Sequence, residues 1–129
     1  MYFKYQEKIY SIERYPSSSN KSLRAWSAAD EYLLKYLTEN NISYTKPLIY
    51  NDRFGFLSTI LAKHQPNIII DYKSQEKSLE INLKKHGIKL NTISKTRPLY
   101  KLKTPFDLVL IKIPKSLDLF RFQLNQLHE

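Results

Sequence analysis

The sequence predicts an α/β domain built on a parallel sheet, and three observations carry that expectation. From Pro47 onward, short apolar runs alternate with amphipathic helical stretches, and the connections between them are short. One run, Asn67-Ile68-Ile69-Ile70-Asp71, has the unbroken β-branched character of a strand buried on both faces. Strand–helix–strand order with such links implies right-handed crossovers and parallel pairing. In this Rossmann-like topology ligands bind beyond the carboxyl ends of the strands, here Asn51 to Gly55, Asp71 to Ser74 and Lys112 to Lys115.

In chain order, residues 1–21 read as an extended aromatic arm (Tyr2, Phe3, Tyr5, Ile9, Tyr10, Ile12, Tyr15) that ends at Pro16 and the turn-forming Ser17-Ser18-Ser19-Asn20. Residues 22–129 form the domain proper. A helix is expected from about Ser22 to Thr38, with Trp26, Ala29, Leu33 and Leu37 at helical spacing and Trp26 as a core anchor. Leu48-Ile49-Tyr50 is a strand, and the turn Asn51-Asp52-Arg53-Phe54-Gly55 leads into a helix reaching Lys63. After the Asn67–Asp71 strand, Ser74 is placed as the N-cap of the next helix. Glu76 and Glu80 lie toward its positive end, Lys84 and Lys85 in its last turn, and Gly87 closes it. His86 shares a face with Leu79 and Leu83, which suits packing near the core.

A weak strand is expected near Leu90 to Ile93, then a basic loop with Pro98 and Pro105. Phe106 to Ile111 reads as the clearest central strand. The last helix is expected from about Ser116 to Leu127, burying Leu117, Phe120, Leu124 and Leu127.

With 129 residues, 42% of them apolar and 26% charged, the chain has the composition of one folded domain. The absence of cysteine excludes a disulfide framework and thiolate metal sites, and with no secretory run or membrane span at the N-terminus a cytoplasmic location is expected. His64, His86 and His128 have no ligand spacing. The charge is informative. Between Lys84 and Lys115 nine basic residues (Lys84, Lys85, Lys89, Lys95, Arg97, Lys101, Lys103, Lys112, Lys115) face one acid, Asp107, so this stretch carries nearly all of the net +9. Such a concentration suits a polyanion, since each neutralised phosphate releases counterions. A lysine-rich soluble surface is the plainer alternative.

Catalytic signals are weak. Asp71 ends the second core strand, where an acid commonly holds ribose hydroxyls, but the unsuitable partner loop favours reading it as the start of the turn into the Ser74 helix. The loop before it has one glycine, Gly55, where nucleotide loops carry two or three, and Arg53 and Phe54 would block close approach of a cofactor. At the third strand end, Lys112-Ile113-Pro114-Lys115 offers neither an acceptor for an exocyclic amine nor an aromatic face for a base. No nucleophile elbow, zincin helix or phosphate loop occurs.

Three strings carry a resemblance. Leu23 to Leu34 (LRAWSAADEYLL) resembles the opening helix of the bacterial large-subunit ribosomal RNA guanine methyltransferase G family. Asn51 to Ser58 (NDRFGFLS) and Leu110 to Lys115 (LIKIPK) are similar to later parts of the same family's N-terminal domain. The resemblance runs from about Ile12 to Leu127, and a sister family acting on small-subunit RNA shares the plan. It implies two duplicated methyltransferase-like domains. The C-terminal copy binds S-adenosylmethionine and methylates a guanine amine through an Asn-Pro-Pro-aromatic motif. The N-terminal copy is a degenerate class I methyltransferase fold that has lost both. On that view Gly55 and Asp71 are vestiges of a cofactor site, Ser78 and Asn82 echo the following helix, and Lys112 to Lys115 replace the catalytic motif. The chain is then expected to be a fragment, its sheet truncated after the fourth core strand, with the catalytic domain absent.

Three functions follow. The first is a non-catalytic module that binds protein-free large-subunit ribosomal RNA through the Lys84–Lys115 surface, uses no cofactor itself, and scaffolds an intramolecular catalytic domain. The second is a purely structural domain, marked by an exposed apolar patch that includes the arm. The third is a working methyltransferase with S-adenosylmethionine near Asp71.

Overall fold

The computed structural model describes residues 2–16, 23–97, 102 and 105–128. The chain opens with an antiparallel hairpin of Tyr2–Tyr5 (β1) and Lys8–Ser11 (β2). Its two loop residues, Gln6 and Glu7, have φ of 48° and 68°. Tight hairpin turns of this kind are normally announced by Asn-Gly or Asp-Gly, and Gln-Glu carries no such signal. The arm is therefore a folded hairpin, not merely extended, and Phe3, Tyr10 and Ile12 pack into the main core.

The first helix, α1 (Ala28–Glu39), starts later than its spacing suggests. Ser27 caps it by accepting from Asp30 N–H, and the Asp30 carboxylate accepts from Ser27 N–H at 2.8 Å. This reciprocal box fixes the start beyond Trp26. Trp26 thus precedes the helix but does anchor the core, stacked on Phe56 at 5.1 Å and edge-on to Phe3 at 5.6 Å. Its indole N–H donates to Glu31.

Four parallel strands follow: Pro47–Tyr50 (β3), Asn67–Ile69 (β4), Ser94–Thr96 (β5) and Leu108–Ile111 (β6), in the order β5-β4-β3-β6. The strand expected near Leu90 is instead a 3₁₀ turn (Leu90–Thr92), and pairing begins at Ser94. The run expected to be the central strand, β6, lies at the edge of the described sheet, with Val109 and Ile111 half-buried. Its apolar character comes from covering both faces, not from having two neighbours. The helix after β3 is short, α2 (Phe56–Ile60), and continues as a 3₁₀ turn (Ala62–His64). Helix α3 (Lys73–Lys85) is entered from Tyr72 with no side-chain cap, so Ser74 lies inside its first turn. Gly87 closes the turn beyond α3 at φ +68°.

Alternation sorts the strand residues onto two faces. Ile49, Ile68, Ile70 and Leu110 join α1, α2, α3 and the hairpin in the main core. Leu48, Tyr50 and Ile69 face the other way, toward Leu127 of the last helix, α4 (Leu117–His128). There the expected buried side is only half right. Gln123 and Gln126 are buried, Phe120 and Leu127 half-buried, while Leu117 and Leu124 are exposed at 59% and 39%. The sheet beneath α4 presents polar groups that need partners: Tyr50 Oη donates to Gln126 Oε1 at 2.8 Å, and Asn51 exchanges amide bonds with Gln123 at 2.8 and 3.1 Å. Buried polar groups must be hydrogen-bonded, and that demand outweighs the apolar pattern. Among the described residues no helix is long and apolar enough to cross a membrane.

Candidate functional site

Parallel sheets of this kind offer ligands the crevice at the carboxyl edge, where β3, β4 and β6 end. Here several of the chain's own side chains meet and pair with one another. Asp52, 1% exposed, places its carboxylate on the start of α2, accepting from Leu57 N–H at 3.1 Å, Ser58 N–H at 2.8 Å and Ser58 Oγ–H at 2.5 Å. A helix start is where an anionic ligand group is otherwise received. Burial pushes the Asp52 carboxyl up from its ordinary range, against the lowering effect of Lys112; Asp30 raises it further, and the Ser58 hydrogen bonds lower it.

Gly55 is needed for packing. Its φ is +75°, and a Cβ there would stand 2.9 Å from Leu79 Cα, a backbone atom of α3. Phe54 is buried between the guanidinium groups of Arg14 and Arg53, at 4.8 and 5.0 Å from its ring centre. Asn82 of α3 donates to Phe54 O and Glu13 O, and accepts from Glu13 N–H, tying the chain that leaves the hairpin across this region. His86 makes a similar link, with Ser11 N–H donating to Nε2 and Nδ1 placed 2.7 Å from Asn82 O.

Lys112, just past β6, also points inward. Its ammonium lies 2.6 Å from the Asp30 carboxylate, with side-chain exposures of 19% and 3%. Asn51 holds the same strand end by donating to Lys112 O at 2.7 Å. Asp71 sits at the end of β4, half-buried, and burial raises its carboxyl above the ordinary range. Its backbone N–H donates to Gln75 Oε1, while its carboxylate makes no hydrogen bond among the described residues. The Tyr50 phenol is pushed up to about 12, mainly by burial and then by the Asp71 charge.

Of the nine basic residues singled out in the sequence, the seven described are spread over several elements. Lys84, Lys85 and Lys89 lie at the opposite, amino edge of the sheet, where α3 returns toward β5. Lys95, Arg97, Lys112 and Lys115 lie along β5 or at the carboxyl edge. Lys101 and Lys103 are outside the described residues, as are the Ser17–Asn20 turn, Ser22 and Pro98. Several are paired in the chain: Lys85 with Glu13 at 2.6 Å, and Lys95 and Arg97 with Glu76 at 3.2 and 3.6 Å. Lys84, Lys89 and Lys115 are exposed and have no ion pair among the described residues.

Sequence reasoning missed a cavity of about 650 Å³ at the amino edge. It lies between the hairpin, the loop after α1 and the end of α2, lined by Tyr5, Tyr10, Tyr44, Thr59, Lys63 and His64 among others. Tyr5 and Tyr10 were visible as arm aromatics. Nothing in spacing links them to Tyr44 and His64, which lie 34 or more positions further along the chain.

Fold and crevice together define a small parallel α/β domain in which Asp52, Asp30, Lys112 and Asn51 at the customary ligand edge are bound within the chain. The family model described as RLMG N-terminal domain matches residues 1–129, and the chain belongs to that family. Ribosomal RNA large subunit methyltransferase G of Pseudoalteromonas translucida is 36% identical over 126 residues, covering 95% of this chain and 33% of that protein. The proteins of the same name from Serratia proteamaculans and Streptomyces coelicolor are 39% and 32% identical, over 92% and 90% of this chain and 31% of each relative. The chain thus spans about a third of the length of the curated relatives it matches.

Proposed function

We propose that this chain is the non-catalytic, RNA-handling domain of an S-adenosylmethionine-dependent ribosomal RNA guanine-N2 methyltransferase. Its sheet is a degenerate class I methyltransferase sheet of Rossmann type, and it scaffolds a catalytic domain in the same polypeptide. The supporting observation is the pairing within the crevice. Asp52 occupies the start of α2, Gly55 is closed against Leu79, and Lys112 is held by Asp30. These residues do not fit S-adenosylmethionine, although Asp71, in the position of a ribose acid, has a carboxylate with no hydrogen bond among the described residues. The basic surplus supplies the affinity for ribosomal RNA, chiefly through phosphate contacts that position without reading sequence. A cytoplasmic location follows from that substrate. Lys112 leaves the group of RNA contacts; Lys84, Lys89 and Lys115 remain in it, with Lys101 and Lys103.

Calorimetric titration of the chain with S-adenosylmethionine, beside a protein-free ribosomal RNA segment over a salt series, tests this reading. RNA binding that weakens steeply with salt and no heat from the cofactor is the expected result. Micromolar cofactor binding that is lost in Asp71→Ala would overturn it. Glutamate at Lys101 and Lys103 is expected to weaken RNA binding and flatten its salt dependence.

One observation favours a structural role beside this. Ile113, Leu117 and Leu124 are exposed at 75%, 59% and 39% on and beside α4, an apolar face suited to the catalytic half. The hairpin does not provide that patch as a whole, since Phe3 and Tyr10 pack inward, although Tyr2 and Ile9 are exposed.

A further inference from the structure

The amino-edge cavity has features that the crevice lacks. Thr59 is 1% exposed and lines it, yet its hydroxyl has no hydrogen-bond partner among the described residues. A buried hydroxyl without a partner carries a desolvation cost, and such exceptions call for an explanation. The Tyr10 and Tyr44 hydroxyls likewise make no hydrogen bond among the described residues. Burial pushes the Tyr44 phenol up to about 12, with Tyr5 contributing, so it stays a neutral donor. The Tyr44 and His64 rings lie 4.6 Å apart at 45°. Lys8, whose ammonium lies over the Tyr10 ring at 5.1 Å, and Lys63 stand exposed at the rim, and Lys89 is close along the chain to Ile88, another lining residue. The nearby acids are Glu7 in the hairpin turn and Asp107, which is engaged by Thr45 and Lys46. Aromatic faces, unpartnered donors and surrounding cations match a nucleotide, whose base stacks whatever its identity and whose phosphates are anionic. The volume falls within the usual range for a ligand site.

We propose that this cavity takes one unpaired nucleotide of an RNA strand, its base on the Tyr44 and His64 rings, its polar edge on the Thr59 hydroxyl, and its flanking phosphates on Lys8 and Lys63. The inference rests on the RNA-handling reading and deepens it: lysines elsewhere hold backbone, while this cavity selects single-stranded over paired RNA.

The test measures fluorescence anisotropy of the chain with a labelled 12-nucleotide single-stranded RNA and with an abasic strand of equal charge. The base-bearing strand is expected to bind about tenfold more tightly, the size of one stacked base. Tyr44→Ala is expected to abolish that ratio, and Thr59→Val to reduce it while leaving the unfolding midpoint unchanged or raised. The Lys101 and Lys103 substitutions should weaken both strands alike. Equal affinity for the two strands, unaffected by Tyr44→Ala, would overturn the cavity assignment and leave RNA handling standing; no binding of either strand at low salt would sink both. Displacement by micromolar adenosine monophosphate would make it a free-nucleotide site, and displacement by polyglutamate at equal charge an acidic-peptide site, each against the proposal.

Discussion

The two edges of the sheet solve opposite problems. At the carboxyl edge the polar groups other than the Asp71 carboxylate are paired within the chain: Asp52 with the α2 backbone, Asp30 with Lys112, Asn51 with Gln123. At the amino edge a buried hydroxyl and two phenols have no hydrogen-bond partner among the described residues, beside an open cavity. A ligand can use an edge where polar groups lack partners in the chain, and is shut out where the chain supplies its own. The topological rule that places ligands at the carboxyl edge gives only a starting expectation, which local chemistry can reverse.

The contrast breaks most severely if the paired edge is disrupted. Lys112→Met is expected to cost about 3–5 kcal/mol, because it strands the buried Asp30 carboxylate. Urea unfolding would show this as a lower midpoint, and adding Asp30→Asn should restore a large part of it. A loss below about 1 kcal/mol would mean the pair does not hold the crevice. Gly55→Ala comes next, at about 2–4 kcal/mol, from left-handed backbone and the encounter with the Leu79 backbone. Thermal unfolding measures it, and a neutral result would remove packing as the reason for glycine there.

A smaller effect is expected at the amino edge. Asp107 accepts from Thr45 N–H and Lys46 N–H, each at 2.8 Å, clipping the loop before β3 to the start of β6. Those backbone bonds, Lys46 first, hold its carboxyl below the ordinary 3.8. A depressed folded value means stability that is present above about pH 4 and lost as pH falls through the folded value. Asp107→Asn should therefore be less stable than the parent at neutral pH, with the gap closing in acid. A gap constant with pH would assign the clip to shape and not charge.

Much of this architecture was legible because its signals are local. The β-branched run at Ile68–Ile70, the acid-first, lysine-last pattern of α3 and the closure at Gly87 needed only neighbours within a turn or two. The hairpin was not, since Gln6-Glu7 adopts a turn that its residues do not favour and tertiary packing of Phe3 and Tyr10 holds it. The inner face of α4 was misjudged for a related reason. Gln123 and Gln126 are drawn in by Asn51 and Tyr50, about 70 or more positions away. Among site residues, the scarcity of glycine drew attention to Gly55, whose left-handed φ and close approach to the Leu79 backbone the structure shows. The inward turn of Lys112 was not legible, because its partner Asp30 lies on a different element.

By itself the sequence determined the parallel α/β class, the order of most elements, the basic surplus and the resemblance to one methyltransferase family, because periodicity, composition and local motifs are properties of neighbouring residues. The tertiary structure alone decided which polar groups at each edge find partners within the chain. That choice depends on pairings such as Asp30 with Lys112, and on the gathering of Tyr5, Tyr44, Thr59 and His64, across separations that no local pattern encodes.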